Sequence, residues 1–463
     1  MFKNIILISL FSGIIFPGLS QNNLSLTEAI ALGLQYNYDI QIEQANVEVA
    51  SNNNTWGHAG RWPSLIANVN QNNSITDNVK TANPFALQGQ IYANSLVPSV
   101  NLNWMLFDGF RISMNKSKLE QLQSESAGNA SIVISNTIQS IVLGYYLAVL
   151  EKQRLEEFGK QMNLSRDKYE YLEVKSELGA AVTSELLLEE GNYLTDSVSF
   201  INQQLAYRNA LRNLNFLIVE KDIDRTYTLT DSLVFESTNF LYEDLRSKMV
   251  SENVDLKKQY ISQSILSSNT GLATADRYPS LVLNAGASRN MGRNDLSRTS
   301  IGERQSDSLS LNPNATFVPD YLEPLKSTTN NYFANFTLSF TLFNGGKINR
   351  AIQNAMVQED IGNVRIDQMK ASLERDLRRA FDQYQIRNQL YGINDRRVEA
   401  AKINLDISKG KYQNGSINSF DYRVVQNNYL SASIQRLQAL YNLIDSKVEL
   451  MRLTGGIIET YNQ

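Results

Sequence analysis

The sequence contains Arg61-Trp62-Pro63-Ser64-Leu65, and nearly the same motif returns as Arg277-Tyr278-Pro279-Ser280-Leu281. A second motif follows each of them, first as Leu106-Phe107-Asp108-Gly109 and then as Leu342-Phe343-Asn344-Gly345. Two motifs that recur in the same order indicate an internal duplication. We therefore expect a first structural repeat over residues 21–239 and a second over residues 240–463, each running helix, strand, strand, long helical hairpin.

The second repeat is longer than the first between its two motifs. The extra length falls within residues 286–336, which include the polar stretch GERQSDSLSLNPNATFVPDYLEPLKSTTN with three prolines. Loops tolerate insertions that packed elements do not, and prolines punctuate regular structure. The pattern predicts a long surface loop at about 286–336.

Two long tracts of the sequence are suited to helices. All eight prolines lie outside residues 101–278 and 325–463, and a proline in a helix interior costs about 3 kcal/mol. Apolar residues recur there at helical spacing, as at Ile134, Ile138 and Ile141. A helix over residues 112–178 would reach about 100 Å and would need coiled-coil partners. The second half repeats this element, so each half predicts a long helical hairpin, with its tip at Gly179 or Gly415.

Between the helical tracts the apolar residues alternate with period two, which predicts strands. Val100, Leu102 and Trp104 alternate with asparagine and serine, and Phe336 and Leu338 do so in the second half. A soluble sandwich would give the same alternation. Four strands beside such long helices have no second sheet to pack on, however, so a membrane β-barrel shared between chains fits better. The predicted fold class is mainly α with a membrane β-barrel.

The start of the chain has the features of a signal peptide over residues 1–20. Lys3 precedes an apolar run, and small residues stand at Gly18 and Ser20. Without any cysteine the chain cannot be a lipoprotein acylated on that residue. Beyond the signal, no run approaches the roughly 18 consecutive apolar residues of a membrane-spanning helix.

Composition argues against catalysis and nucleic-acid binding. The chain has no cysteine and a single histidine, His58, which is a poor candidate for a metal ligand or an acid-base group. Neither a glycine-rich phosphate loop nor a nucleophile elbow is present in the sequence. The formal net charge is -4, and no long basic run occurs. We predict no catalytic residue, no metal site, no cofactor and no nucleic-acid partner.

Taken together, the duplicated strand motifs and the two tip glycines resemble the TolC family of outer-membrane efflux and export factors. The resemblance covers essentially the whole mature chain. It implies a homotrimer in which four strands per protomer close a barrel of about twelve, continued by an α-helical tunnel in the periplasm. It also implies contact with outer-membrane lipid of a Gram-negative cell, a periplasmic adaptor (membrane fusion protein), an inner-membrane pump, and an extracellular position for the predicted loop.

Four residues of the duplicated motifs are expected to shape the strand-helix transitions. Pro63 and Pro279 are expected to end the preceding helices, because a proline moves the residue before it out of the α region. Gly109 and Gly345 are expected to let the chain turn from strand into helix. None of the four is expected to do chemistry.

The resemblance also implies acidic residues at the periplasmic aperture. Glu185 follows Gly179, and Asp421 follows Gly415, at the same spacing. Ringed carboxylates set the ion selectivity of a pore. A helix-capping role is the alternative, since Asn418 can act as an N-cap with Asp421 three residues further on.

A tip latch is implied as well, with two departures from the family pattern. Tyr412 matches the latching tyrosine, and Ser184 and Glu185 match its hydroxyl and acidic partners. Ile417 stands where the family's latch arginine is expected, and Val424 stands where a second aspartate is expected. The expected latch is weaker than usual, or is built differently.

The predicted function is therefore a passive duct for efflux of small molecules, not an enzyme. A duct for type I protein secretion is an alternative that the sequence does not separate from it. A non-porous periplasmic coiled-coil scaffold is a third reading, which leaves the paired amphipathic strands without a role.

Overall fold

The computed structural model describes residues 23–78, 88–234, 238–305 and 317–461. The predicted signal peptide lies outside the described residues, as do residues 306–316 of the predicted loop. The first half contains seven elements: β1 (Asn23–Leu24), α1 (Leu26–Tyr36), α2 (Tyr38–Asn53), β2 (Ser64–Asn78), β3 (Gln88–Asp108), α3 (Arg111–Glu177) and α4 (Thr183–Leu217).

The second half repeats this order with two additions. Its elements are β4 (Thr228–Leu229), α5 (Tyr242–Glu252), α6 (Val254–Ala275), β5 (Ser280–Gln305), β6 (Phe317–Tyr321), β7 (Leu325–Ser339), α7 (Lys347–Gln413), α8 (Ser419–Leu453) and α9 (Gly456–Tyr461). α3 and α7 each have 67 residues, and α4 and α8 each have 35. The fold is thus mainly α with a β-sheet, as predicted.

The chain divides into two compact units that cut across the sequence halves. One unit takes the described parts of residues 1–47, 126–260 and 365–463, and the other takes residues 48–125 and 261–364. The first unit is helical and the second contains the sheet. Because each unit combines segments from both halves, the repeat boundaries at 239 and 240 remain a prediction about the sequence.

The helical unit has two apolar clusters. In the larger cluster, Ile138, Ile141 and Tyr145 of α3 are fully buried against α1, α4 and α8. In the smaller one, Leu377 and Phe381 of α7 pack with residues of α5 and α8. By length and composition, α3 also contains a window apolar enough to cross a membrane, but half of that window is buried inside the protein. Burial of that kind is typical of a core helix.

The second unit contains an antiparallel sheet in the order β2-β3-β5-β7, with the short β6 paired to the outer part of β5. β2 pairs with β3 along its whole length, and β7 pairs with β5 from Ser280↔Ser339 to Asn294↔Leu325. In the described part of the chain, the outer edges of β2 and β7 have no strand partner. Each of these open edges is 15 residues long.

The register gives the sheet two unlike faces. One, the apolar face, presents Leu65, Ala67 and Val69 of β2 in line with Leu102, Val100 and Pro98 of β3; β5 adds Leu281, Leu283, Ala285 and Ala287, and β7 adds Tyr332, Ala334, Phe336 and Leu338. The other, the polar face, is rich in asparagine, and Asn103 donates a hydrogen bond to Asn284 at 2.6 Å. Over described residues 64–78, 89–103, 282–294 and 325–339, the polar face carries no Asp, Glu, Lys or Arg.

The predicted surface loop at 286–336 is wrong for most of its described residues. β5 continues to Gln305, β6 occupies residues 317–321, and β7 begins at Leu325. Polar residues are compatible with a strand here, because both faces of the outer part of β5 are polar and its backbone groups are hydrogen-bonded to neighbouring strands. Pro319 lies in the edge strand β6 and Pro324 directly precedes β7, which are the places where strands accept proline.

Candidate functional site

Gly109 and Gly345 both adopt left-handed backbone at the strand-helix transitions. Gly109 has a φ of 66° between β3 and α3, and Gly345 has a φ of 67° before α7. A Cβ on Gly109 would lie 2.5 Å from the Ala275 carbonyl oxygen, whereas one on Gly345 would meet nothing within 4 Å. Gly109 is therefore required by conformation and by space, and Gly345 by conformation alone.

Pro63 and Pro279 do not end the preceding helices, contrary to expectation. α2 ends at Asn53 and is followed by a turn through residues 55–60, and α6 ends at Ala275. A proline restricts only the residue before it, so Pro63 is too distant to stop α2. Both prolines instead stand directly before strands, since β2 begins at Ser64 and β5 begins at Ser280.

The two hairpin tips have the same backbone. Gly179 has a φ of 71° and Gly415 a φ of 72°. At the first tip the Ala180 N–H donates to the Lys175 carbonyl at 2.8 Å, and at the second the Ser416 N–H donates to the Lys411 carbonyl at 2.8 Å. These are the bonds of a Schellman motif, which ends a helix at a left-handed glycine.

Each tip places a carboxylate in the first turn of the helix that follows. Glu185 lies in the first turn of α4 and is partly buried, while Asp421 lies in the first turn of α8 and is exposed. Asn418 is the N-cap of α8, and its side-chain oxygen accepts from the Asp421 N–H at 2.8 Å. The Asp421 carboxylate is thus not itself the cap, and it remains exposed near the positive end of the helix.

The predicted latch partners are not hydrogen-bonded within one chain. Tyr412 stacks on Tyr422 with ring centroids 5.0 Å apart, and Lys168 Nζ lies 5.0 Å from the Tyr412 ring centre. Ser184 is exposed on α4, and among the described residues no hydrogen bond joins it or Glu185 to Tyr412. Burial, followed by the charges of Glu189 and Glu185, raises the pKa of Tyr412.

A buried ion pair near the tips was missed by the sequence analysis. Lys168 of α3 lies 2.7 Å from the Glu189 carboxylate of α4, and both side chains are almost fully buried. The Ser419 hydroxyl of α8 accepts from Lys168 and donates to Glu189. Burial alone would raise the pKa of Glu189, but the bonds from Lys168 and Ser419 and the Lys168 charge hold that pKa below its ordinary value.

A second buried pair ties the same helices together. The Arg423 guanidinium of α8 donates to both oxygens of Asp196 on α4, at 2.6 and 2.7 Å. The same guanidinium donates to the Ser165 hydroxyl of α3 at 2.9 Å. We call these two ion pairs, together with Ser165 and Ser419, the tip network. The tip network connects the first hairpin to the second within one chain.

Only part of the tip network has a signal in the sequence. Lys168 and Glu189 stand at nearly equal distances along the chain on either side of Gly179. Because a hairpin folds back at its tip, charges at mirrored positions face each other, so this pair could have been found. Ser419 and Arg423 reach across to another hairpin, and no spacing within the sequence predicts that contact.

Comparisons with known proteins agree with this architecture. Residues 245–456 match the family described as "Outer membrane efflux protein". No curated protein matches the chain significantly in sequence.

Solved structures share the fold at low identity. The channel-forming protein CusC is 15% identical, with a TM-score of 0.71 over 93% of this chain and 92% of that one. The CmeC outer membrane channel of Campylobacter jejuni is 17% identical, with a TM-score of 0.70 over 93% and 85%. The open-state MtrE outer membrane channel of Neisseria gonorrhoeae is 14% identical, with a TM-score of 0.68 over 93% and 89%. These likenesses establish the fold, and the family match over residues 245–456 agrees with the resemblance inferred from the sequence.

Proposed function

We propose that this chain, which belongs to the TolC-like outer membrane efflux proteins and not to an enzyme family, is one protomer of a homotrimeric duct. The duct passes small molecules across the outer membrane of a Gram-negative cell, with the helices in the periplasm. A periplasmic adaptor and an inner-membrane pump supply it. The observation that carries the proposal is the sheet with two open edges.

An open edge is a liability unless another strand covers it. In the described part of the chain, the free edges of β2 and β7 present unpaired N–H and C=O groups over 15 residues each, with exposed side chains throughout β7 and nearly throughout β2. In a membrane such edges are not tolerated, because no water satisfies them. Pairing β2 of one copy with β7 of the next removes both edges, and a rotation that closes after three copies gives about twelve strands.

The long helices also leave apolar residues uncovered. On α4, Leu187, Leu194, Val198, Ile201 and Leu205 recur at intervals of three, four and seven and are more than half exposed. On α7, Ile386, Leu390 and Ile393 are exposed in the same pattern. Such spacing is that of a coiled-coil seam, which requires a partner helix. Helices of neighbouring protomers would cover both seams.

We also propose that Asp421 and Glu185 form the selectivity ring at the tunnel mouth. Threefold symmetry repeats each carboxylate around the axis, and a ring of like charges favours cations. The exposure of Asp421 supports this role, because a side chain that caps or pairs within the chain would be less available. The tip network holds the two hairpins of each protomer in register beneath the ring.

Disulfide trapping tests the closure, and the natural sequence is already free of cysteine. Asn68→Cys, Asn70→Cys and Asn72→Cys on β2 would each be combined with Asn331→Cys on β7. At least one combination should give covalent dimers and trimers on oxidation, and each single variant should give no species above the dimer. A folded monomer that stays monomeric in detergent, with no trapping in any combination, would rule out the duct.

A further inference from the structure

The apolar face of the sheet ends in a group of positive charges. Arg289 and Arg293 of β5 and Lys326 of β7 occupy this face at its end away from the helices, and all three are exposed. We propose that these cations bind the phosphate groups of a glycolipid in the outer leaflet of the membrane. The inference rests on the proposed function, because it requires the apolar face to meet lipid.

The strand register brings two of the cations directly together. Arg293 pairs with Lys326, so the two side chains leave the same face of adjacent strands. Like charges directly opposite each other destabilise a sheet. An anion bound between the two cations would replace this repulsion with attraction and would stabilise the sheet.

The cations stand where a lipid head group would be. On this face of β5, Leu281, Leu283, Ala285 and Ala287 are followed by Arg289, Met291 and Arg293, so the face extends for about 40 Å from Leu281 to Arg293 at roughly 3.3 Å per residue and Arg289 interrupts its apolar part. With the usual strand tilt, this length matches the apolar band of a membrane barrel, about 25 Å tall. Arg293 is the next residue on this face after Met291, and Arg289 lies within reach of it along the strand.

Neighbouring side chains do not neutralise the group. Among the described side chains of β5, Asp295 is the nearest carboxylate on the same face, and it lies between Arg293 and Arg298 in the sequence. Arg298 itself donates to the Tyr92 hydroxyl at 2.8 Å and lies over that ring. Asp77 of β2, which pairs with Gln90 at the same end of the sheet, is a second carboxylate of this face; against these two, the described side chains of β5 and β7 present four cations, so the described part of the face carries net positive charge.

A phosphate monoester suits this arrangement better than a carboxylate or a neutral sugar. It offers several oxygens, which match the forked donors of an arginine and the point charge of a lysine. A phosphate on a lipid is held at the height of these cations by its acyl chains, which lie along the apolar face. Inorganic phosphate has no acyl chains, so it would lack this apolar contribution to binding.

Native mass spectrometry of the full-length protein tests the site, with diphosphorylated lipid A, dephosphorylated lipid A and inorganic phosphate as separate probes. The protein should bind diphosphorylated lipid A, and Arg293→Gln with Lys326→Gln should weaken that binding about fivefold for each cation removed. Lys347→Gln is the matched control, because Lys347 is an exposed cation at the opposite end of the sheet. Its affinity for lipid A should equal that of the natural protein.

Three results would overturn the inference: equal binding of the dephosphorylated lipid, unchanged affinity in the double variant, or displacement of the lipid by millimolar inorganic phosphate. The same spectra report the oligomer. Trimers that conduct in bilayers but bind no lipid A would contradict this inference alone, whereas the absence of trimers in the natural protein would contradict the proposed function.

Discussion

The two hairpin tips share a backbone but not their contacts. Both end a 67-residue helix at a left-handed glycine with Schellman bonds, and both continue into a 35-residue helix. The first tip supplies the buried charges Lys168, Glu189 and Asp196, while the second supplies Ser419 and Arg423. The duplication has therefore preserved the turn while the two halves have become complementary.

The equivalent positions show how far this divergence extends. Glu189 of α4 corresponds to Val425 of α8, and Asp196 corresponds to the buried Ala432. Arg423 of α8 corresponds in turn to Leu187 of α4, which is exposed. One copy of each position is charged and the other is apolar. The tip network is consequently a contact between unlike hairpins, which a symmetric ancestor could not have made with the same residues.

The strongest way to break this asymmetry is Asp196→Ala, which gives the first hairpin the residue that the second already has. It leaves the Arg423 guanidinium buried without its carboxylate. Loss of one partner of a buried pair costs about 3–5 kcal/mol. We expect amide hydrogen exchange in residues 190–200 to accelerate by the factor that this loss of free energy implies.

Two variants sharpen that result. Asp167→Ala removes an exposed carboxylate with only a 3.9 Å ion pair, and it should change exchange little. Asp196→Leu with Arg423→Leu removes both charges and should recover most of the protection, since apolar replacement of a buried pair is often neutral. Slow exchange in Asp196→Ala alone would mean that the pair does not hold the hairpins together.

A smaller effect is expected from the tip carboxylates. Asp421→Asn should lower the cation selectivity of single channels more than Glu185→Gln, because Asp421 is exposed and Glu185 is partly buried. Reversal potentials in planar bilayers under a salt gradient measure the difference. Unchanged selectivity in both variants would leave Asp421 with no role beyond the first turn of its helix.

The smallest effect concerns the caps, where the tips differ by one side chain. Asn418 caps α8, but Val182 at the start of α4 makes no side-chain cap. Asn418→Ala should cost about 1 kcal/mol, and Val182→Asn should add a similar amount of stability to α4. Thermal melts of the purified protein provide the measurement, and equal shifts of the same sign would contradict the assigned caps.

Much of the fold could be predicted because its signals are local. Proline-free tracts, apolar residues at helical spacing and the tip glycines predicted both hairpins. Period-two alternation of apolar residues predicted four strands. The predicted loop was wrong because polar residues such as Ser297 and Thr299 also suit a strand with two polar faces. The tip network was missed because Arg423 meets Asp196 only after two hairpins pack, and no local pattern encodes that meeting.

The charge-free polar face has a consequence for electrical recording. In the proposed duct this face lines the lumen, and a wall without fixed charge drives little electro-osmotic flow, so a dissolved analyte would pass these residues by diffusion and applied voltage alone. Asn103 and Asn284 already bond across this wall. One aspartate introduced at Asn103 would be the only fixed charge that each protomer places on this face within residues 64–78, 89–103, 282–294 and 325–339, so its effect on a recorded current could be measured against an uncharged background.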